Sequence, residues 1–303
     1  MNAGFFVVDK PAGITSHDVV SRVRRILATR KVGHTGTLDP FATGVLPVAV
    51  NNGTKVIPFL DEGIKQYDAL MCLGVATDTL DMTGKVVSRG DWSSVGMEQL
   101  GDALKRFTGN ISQIPPMYSA IKRDGQPLYK LARQGLEIER EARAVEIRSL
   151  EMLAFDPPHV ALRVTCSRGT YIRSLADDIG AELGCGASLQ ELRRITSGPF
   201  QLCSALSLEE LEQAACKGTL DSVRLSPFNA LCHLPDVPLT PAGLARVVHG
   251  RSPEWGETCL NEPICADEPR YVRLSSDGAL VAVAQVMPDV NGGTRIVLKR
   301  VLA

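Results

Sequence analysis

No stretch of this chain stays apolar for the ~18 to 20 residues that a membrane helix needs. Met1-Asn2-Ala3 leads straight into the strand-like Gly4-Phe5-Phe6-Val7-Val8, without the charged and apolar segments of an export signal. A cytoplasmic protein without membrane contact is therefore expected. Cysteine is sparse, at 8 of 303 residues, too thin for a disulfide scaffold, so reduced thiols are expected. There is no Cys-x-x-Cys pair and no histidine cluster beside the cysteines, so no metal is expected. Glycine fingerprints for a nucleotide are missing as well, and no 20 to 50 residue repeat marks a solenoid or propeller. Charge of one sign is not in excess: 33 basic against 34 acidic residues leave −1, which on its face speaks against a polyanionic partner.

What is present is ordinary globular usage, 44% hydrophobic and 22% charged, which excludes disorder, collagen and coiled coil. The average charge hides a pattern. Residues 1 to 65 and 104 to 200 each carry +3, the stretch between them −4, residues 201 to 269 −6, and the tail from 270 again +3. Basic surface is thus available locally.

Gly4 to Val8 reads as a buried strand stopped by Asp9-Lys10-Pro11-Ala12-Gly13. A helix capped by Thr15 or Ser16 follows, with Val19, Val20, Val23, Ile26 and Leu27 at helical spacing and arginines on its outer face. Residues 45 to 50 and 67 to 76 read as strands, 96 to 107 and 128 to 134 as helices. A strand pair, 144 to 155 with 159 to 166, turns at Asp156-Pro157-Pro158, and a helix follows over 173 to 183. Leu189 and Leu192 stand at helical spacing. Ser207-Leu208-Glu209-Glu210 opens another helix as a capping box, and prolines from Pro235 to Pro241 mark a boundary. Beyond it, Thr240-Pro241 starts a short helix, and three strands are joined by turns at Asp277-Gly278 and Asn291-Gly292-Gly293.

The segment with most chemical content is Gly33-His34-Thr35-Gly36-Thr37-Leu38-Asp39-Pro40-Phe41-Ala42-Thr43-Gly44-Val45-Leu46-Pro47, dense in Gly, Thr and Pro and running into an apolar strand. Pro40 biases Asp39 away from helix and holds one carboxylate at a stiff turn. Taken alone, Asp-Pro is a common turn former.

The whole string resembles the catalytic motif of the TruB family of tRNA pseudouridine synthases. The likeness extends to Asp9-Lys10-Pro11-Ala12-Gly13, to Ile114-Pro115-Pro116-Met117-Tyr118-Ser119-Ala120, to Leu128-Tyr129 and Ala132-Arg133-Gln134-Gly135, and to Cys166-Ser167-Arg168-Gly169-Thr170-Tyr171-Ile172-Arg173. It implies an α+β pseudouridine synthase fold with a mixed, largely antiparallel central sheet over residues 1 to 235. A small β-rich, PUA-like RNA-binding module is implied over 236 to 303. The implied function is tRNA pseudouridine-55 synthase: uridine in the T loop is isomerised after base flipping, with no cofactor.

By the same resemblance Asp39 is the catalytic carboxylate. Attack at C1′, addition at C6 and removal of the ribose 2′ proton all begin from that anion. Arg173 is implied as its salt-bridge partner, where by itself it would be an ordinary strand-end arginine. Tyr67 matches the aromatic that stacks on the base, although a lone strand tyrosine is usually packing. Tyr171 and Leu192 match positions lining the uracil, and a leucine at helical spacing is by default core. His34 matches the flat side chain that fills the space left by the flipped base, a role that needs planarity more than a proton. Lys10, Arg22, Arg24, Arg25, Lys55, Lys122, Arg123, Lys130 and Arg133 are candidate phosphate contacts, so binding of tRNA through its T arm should weaken steeply with salt. A monomer with no obligatory protein partner is expected. Two rivals remain: a noncatalytic tRNA-binding or folding protein using the same surface, and a synthase directed by a guide RNA.

Overall fold

The computed structural model describes residues 2–61, 63–119, 121–123, 125–132, 134–289 and 292–302. Met1, Ala120, Arg133 and Asn291, named above, lie outside the described residues, and so does the side chain of Lys122. The main sheet is built from β1 (Gly4–Lys10), β2 (Val32–His34), β3 (Thr43–Val50), β4 (Ile64–Leu73), β5 (Gly109–Gln113), β6 (Arg143–Asp156), β7 (His159–Ser167), β8 (Ala187–Ser197) and β9 (Phe200–Gln201). Its order is β1-β3-β8-β4-β7-β6-β5, with β2 beside β3 and β9 beside β8. Pairing is antiparallel except where Arg193 and Arg194 of β8 run parallel to Thr43 and Gly44 of β3. This is the mixed, largely antiparallel sheet of an α+β fold.

The unbroken apolar runs of β1 and β3 are explained by cover on both faces. Phe6, Val8, Leu46, Val48 and Val50 pack on Val19, Val20 and Val23 of helix α1 (Ser16–Ile26). Phe5, Val7, Val45 and Ala49 point the other way, into a cluster shared with Val283 and Leu302 near the C-terminus. Strand β4 alternates instead. Lys65, Tyr67, Ala69, Met71 and Leu73 are buried, whereas Asp68 turns outward and takes a bidentate pair from Arg163 of β7 at 2.7 and 2.8 Å. Helices α2 (Met97–Arg106) and α3 (Ile172–Glu182) seal the buried face through Leu100, Leu104, Leu175 and Ile179.

Thr15, not Ser16, caps α1, in a reciprocal box with Asp18. Helix α3 starts one residue before the expected position, so Arg173 lies in its first turn and not at a strand end. The helical spacing of Leu189 and Leu192 misleads. Both lie on β8, between β3 and β4, where neighbouring strands supply the burial that a helix face would otherwise need.

The capping box at Ser207 opens α4 (Leu208–Lys217) as the sequence predicts. A second sheet follows, with strands β10 (Asp236–Pro238), β11 (Arg270–Ser276), β12 (Ala279–Pro288) and β13 (Thr294–Val301) in chain order. Asp277 and Gly278 turn the first hairpin, both at positive φ. This sheet has its own core around Val237, Val272, Leu274 and Val286. It is also tied to the segments flanking the main sheet: Asn52, just past β3, donates to Leu302 O at 2.6 Å, and Arg273 donates to Phe228 O at 2.8 Å while lying 4.1 Å over that ring.

Candidate active site

The loop joining β2 to β3 is held from beneath by three side chains. Lys10, wholly buried at the end of β1, donates through Nζ to the carbonyls of Ala42, Pro11 and Pro40 at 2.7, 2.9 and 3.1 Å. Ser16 Oγ accepts from Leu38 N–H at 2.9 Å and donates to Leu38 O at 3.1 Å. Arg194 of β8 donates through Nε to Val45 O at 2.7 Å and through Nη2 to Gly36 O at 2.9 Å. These bonds fix the backbone on both sides of Asp39. The carboxylate is therefore placed by the fold and not by its own rotamer alone. Gly44 makes the arrangement possible: at φ +98° it passes so close to β8 that a Cβ would stand 2.3 Å from Arg194 O.

Arg173 comes to Asp39 from the first turn of α3. Its Nε lies 2.9 Å from Asp39 Oδ2 and its Nη2 3.1 Å from Oδ1, a fork on a fork. The guanidinium is itself clamped, with Nη1 donating to Thr79 O at 3.0 Å and Nη2 to Tyr118 O at 2.8 Å. On its far side Asp81 Oδ2 stands 3.5 Å from Nη1. Asp81 Oδ1 in turn accepts from Thr79 Oγ1, Thr83 N–H and Thr83 Oγ1. One buried cation thus serves two carboxylates. Of the pair, Asp39 alone is open, with a third of its side chain accessible against 5% for Asp81.

Desolvation pushes the Asp39 carboxyl above its ordinary pKa, Arg173 opposes this, and Asp81 adds to it. Burial also lowers Lys10, to about 8, against the pull of Asp39. The Tyr67 phenol is raised by burial and held back by Arg194, and Tyr171 is raised by burial and held back by a hydrogen bond with Ser119.

Residues expected from the sequence gather around this pair. Tyr67 on β4 and Leu192 on β8 are each 7% exposed, and share an apolar cluster with Leu38 and Ala42 of the loop. Tyr171, the N-cap residue of α3, lies within electrostatic reach of both Asp39 and Arg173. His34 is half-buried at the end of β2, where the loop begins.

Two candidate phosphate contacts are spent elsewhere. Lys10 is sealed inside by the three carbonyls it bonds, and the Lys55 ammonium turns to Val301 O at 3.3 Å, in the link to the second sheet. Arg24 is partly engaged with Val32 O at 3.2 Å. Arg22, Arg25, Arg123 and Lys130 are exposed. Sequence reasoning missed Asp81 and Arg194 as parts of the site. For Arg194 a signal existed: in a strand the doublet Arg193-Arg194 must send its members to opposite faces. Arg193 goes outward to Asp9, at 2.6 Å, and Arg194 goes in.

Comparison with known proteins agrees with this geometry. Residues 24–172 match the N-terminal domain of the TruB family pseudouridylate synthases, and residues 173–231 match the tRNA pseudouridylate synthase B C-terminal domain. The chain is 54% identical over 281 residues to tRNA pseudouridine synthase B of Geobacter sulfurreducens, covering 93% of this chain and 92% of that protein. It is 45% identical over 258 residues to the protein of that name from Pseudomonas aeruginosa, covering 83% and 84%. Among solved structures, a Cbf5-Nop10-Gar1 complex matches with TM-score 0.76 at 30% identity, over 99% of this chain and 85% of the matched one. The archaeal box H/ACA Nop10-Cbf5 complex matches with TM-score 0.74 at 28% identity, over 99% and 86%. The boundary between the two matched segments falls between Ile172 and Arg173, so the carboxylate and its clamp come from different segments of a single sheet-and-helix unit, and the chain belongs to the TruB family of pseudouridine synthases.

Proposed function

We propose that this chain isomerises uridine 55 in the T loop of tRNA to pseudouridine; its relatives are named tRNA pseudouridine synthase B, and the position is the one the family resemblance implies. The observation that carries the reading is the Arg173 fork on a partly open Asp39, with Tyr67, Tyr171 and Leu192 around it. In this reaction the N1–C1′ bond breaks, a C5–C1′ bond forms, and a proton passes from C5 to N1. Substrate and product are isomers. Asp39 is the catalytic group, acting as an anion on C1′, on C6 or on the 2′ proton. Tyr67 stacks on the extruded base, a contact worth ~1 to 3 kcal/mol. Tyr171 and Leu192 line the uracil, Arg173 orients the carboxylate, and His34 takes the place of the flipped base in the RNA loop.

The exposed arginines of α1, together with Lys130, support contacts to tRNA phosphates. The second sheet, residues 236 to 303, is a PUA-like module adding RNA surface to a catalytic unit of residues 1 to 235. The protein acts in the cytoplasm as a monomer without a guide RNA.

The test is to incubate the purified chain alone with unmodified tRNA transcript and map pseudouridine by nucleotide. Product at position 55 is expected, and Asp39→Asn should abolish it while leaving tRNA binding nearly unchanged. Unaltered turnover in Asp39→Asn would overturn the reading, and product only on addition of a guide would favour the RNA-directed rival.

A further inference from the structure

Arg194 is among the largest fully buried side chains of the described residues, and its guanidinium is only partly explained by the loop. Nε and Nη2 are satisfied by Val45 O and Gly36 O, but Nη1 is buried with no acceptor at full hydrogen-bonding distance. An orphaned charged donor in the interior is costly, on the order of several kcal/mol, unless a partner completes it. The sheet supplies one candidate. Arg194 and Tyr67 are direct partners across β8 and β4, so their side chains leave the same face of adjacent strands. Arg194 favours ionisation of the Tyr67 phenol, whereas Cys166 and Asp39 act on it in the opposite sense. Nothing in the loop needs the third nitrogen.

We propose that Arg194 is a positioning residue for Tyr67: with the target base seated, its Nη1 donates to the Tyr67 hydroxyl and fixes the ring plane and the direction of the O–H toward the base. The inference rests on the reading that Tyr67 meets the flipped uridine. The same guanidinium then ties together both sides of the loop carrying Asp39 and the aromatic ring above it, so that the acid and the ring move as one body. A shift of Tyr67 on the scale of 1 Å would cost roughly 100-fold in rate.

The test places 3-fluorotyrosine at position 67, which makes the phenol acidic enough to titrate in the folded protein, and follows its ¹⁹F signal with pH. Replacing Arg194 by Gln should move that titration upward, because the cation that favours the phenolate is gone. If Arg194 only held the loop, its loss would hydrate Tyr67 and move the titration downward or not at all, and either result overturns the proposal. Arg194→Lys, which retains the charge, is the second variant should Gln at this site fail to fold, and it should restore part of the shift. With tRNA, Arg194→Gln should lower kcat by roughly 100-fold while KM stays within about threefold. A loss confined to KM would also overturn it. Absence of product from the unaltered protein would instead defeat the proposed function and leave the titration result standing by itself.

Discussion

In the proposed reaction Asp39 acts as an anion, yet its surroundings disfavour the ion. Because desolvation raises its pKa, the acid limb of kcat/KM should lie above the ordinary carboxylate value of ~3.9. The sign for stability is the reverse. Between the unfolded and the raised folded pKa, the folded state holds a proton that the unfolded chain has released, so stability falls as pH rises through the window in which activity appears. Melting temperatures of the wild type and Asp39→Asn across that window check this, since the Asn variant should lose the dependence. His34 makes a contrasting case. Its proposed role asks for a flat ring more than for a proton, so His34→Phe should keep most turnover, within about tenfold. A loss as deep as that of Asp39→Ala, in a single-turnover assay, would mean the imidazole does chemistry. Asp39 and Arg173 were visible in the sequence because they sit in distinctive strings. Asp81 was not, since its meaning depends on an arginine 92 positions later that only the fold brings within 3.5 Å.

At the scale of elements, strands with a regular period were legible. The hairpins flanking Asp156-Pro157-Pro158 and Asp277-Gly278 have turn chemistry beside alternating apolar residues, and both form where that pattern puts them. Strand β8 was not legible. Its leucines stand three apart, and its charges are matched by partners some 150 to 184 residues away, which no local window contains. The contact of β8 with β3 depends on Gly44, where a methyl group would meet backbone and not a flexible side chain. Gly44→Ala should therefore destabilise the protein by at least ~2 kcal/mol in urea titration, more than the ~1 kcal/mol usual for a point substitution, and lower activity with it. Retention of full stability would show that β3 and β8 part easily.

For the whole molecule, the two sheets share one apolar cluster in which Phe5, Val7 and Val45 meet Val283 and Leu302. The composition break at Pro235 to Pro241 predicts a boundary, but nothing in the sequence told how firmly the parts adhere. A chain ending at residue 235 would bare that face, so it should melt several degrees lower and self-associate, which light scattering against the full chain would reveal. An equally stable, monodisperse fragment would show that the second sheet is only appended. The clamp on Asp39 has a related implication for biosynthesis. The acid, the carbonyls of Thr79 and Tyr118, and the guanidinium they steady are separated by up to 134 residues, and the lysine beneath them lies on the first strand. A nascent or damaged copy can present the acid without its bracing, but it cannot present a working centre. Competence arrives only when the last of these segments docks, so each active molecule has already passed an inspection of its own folding.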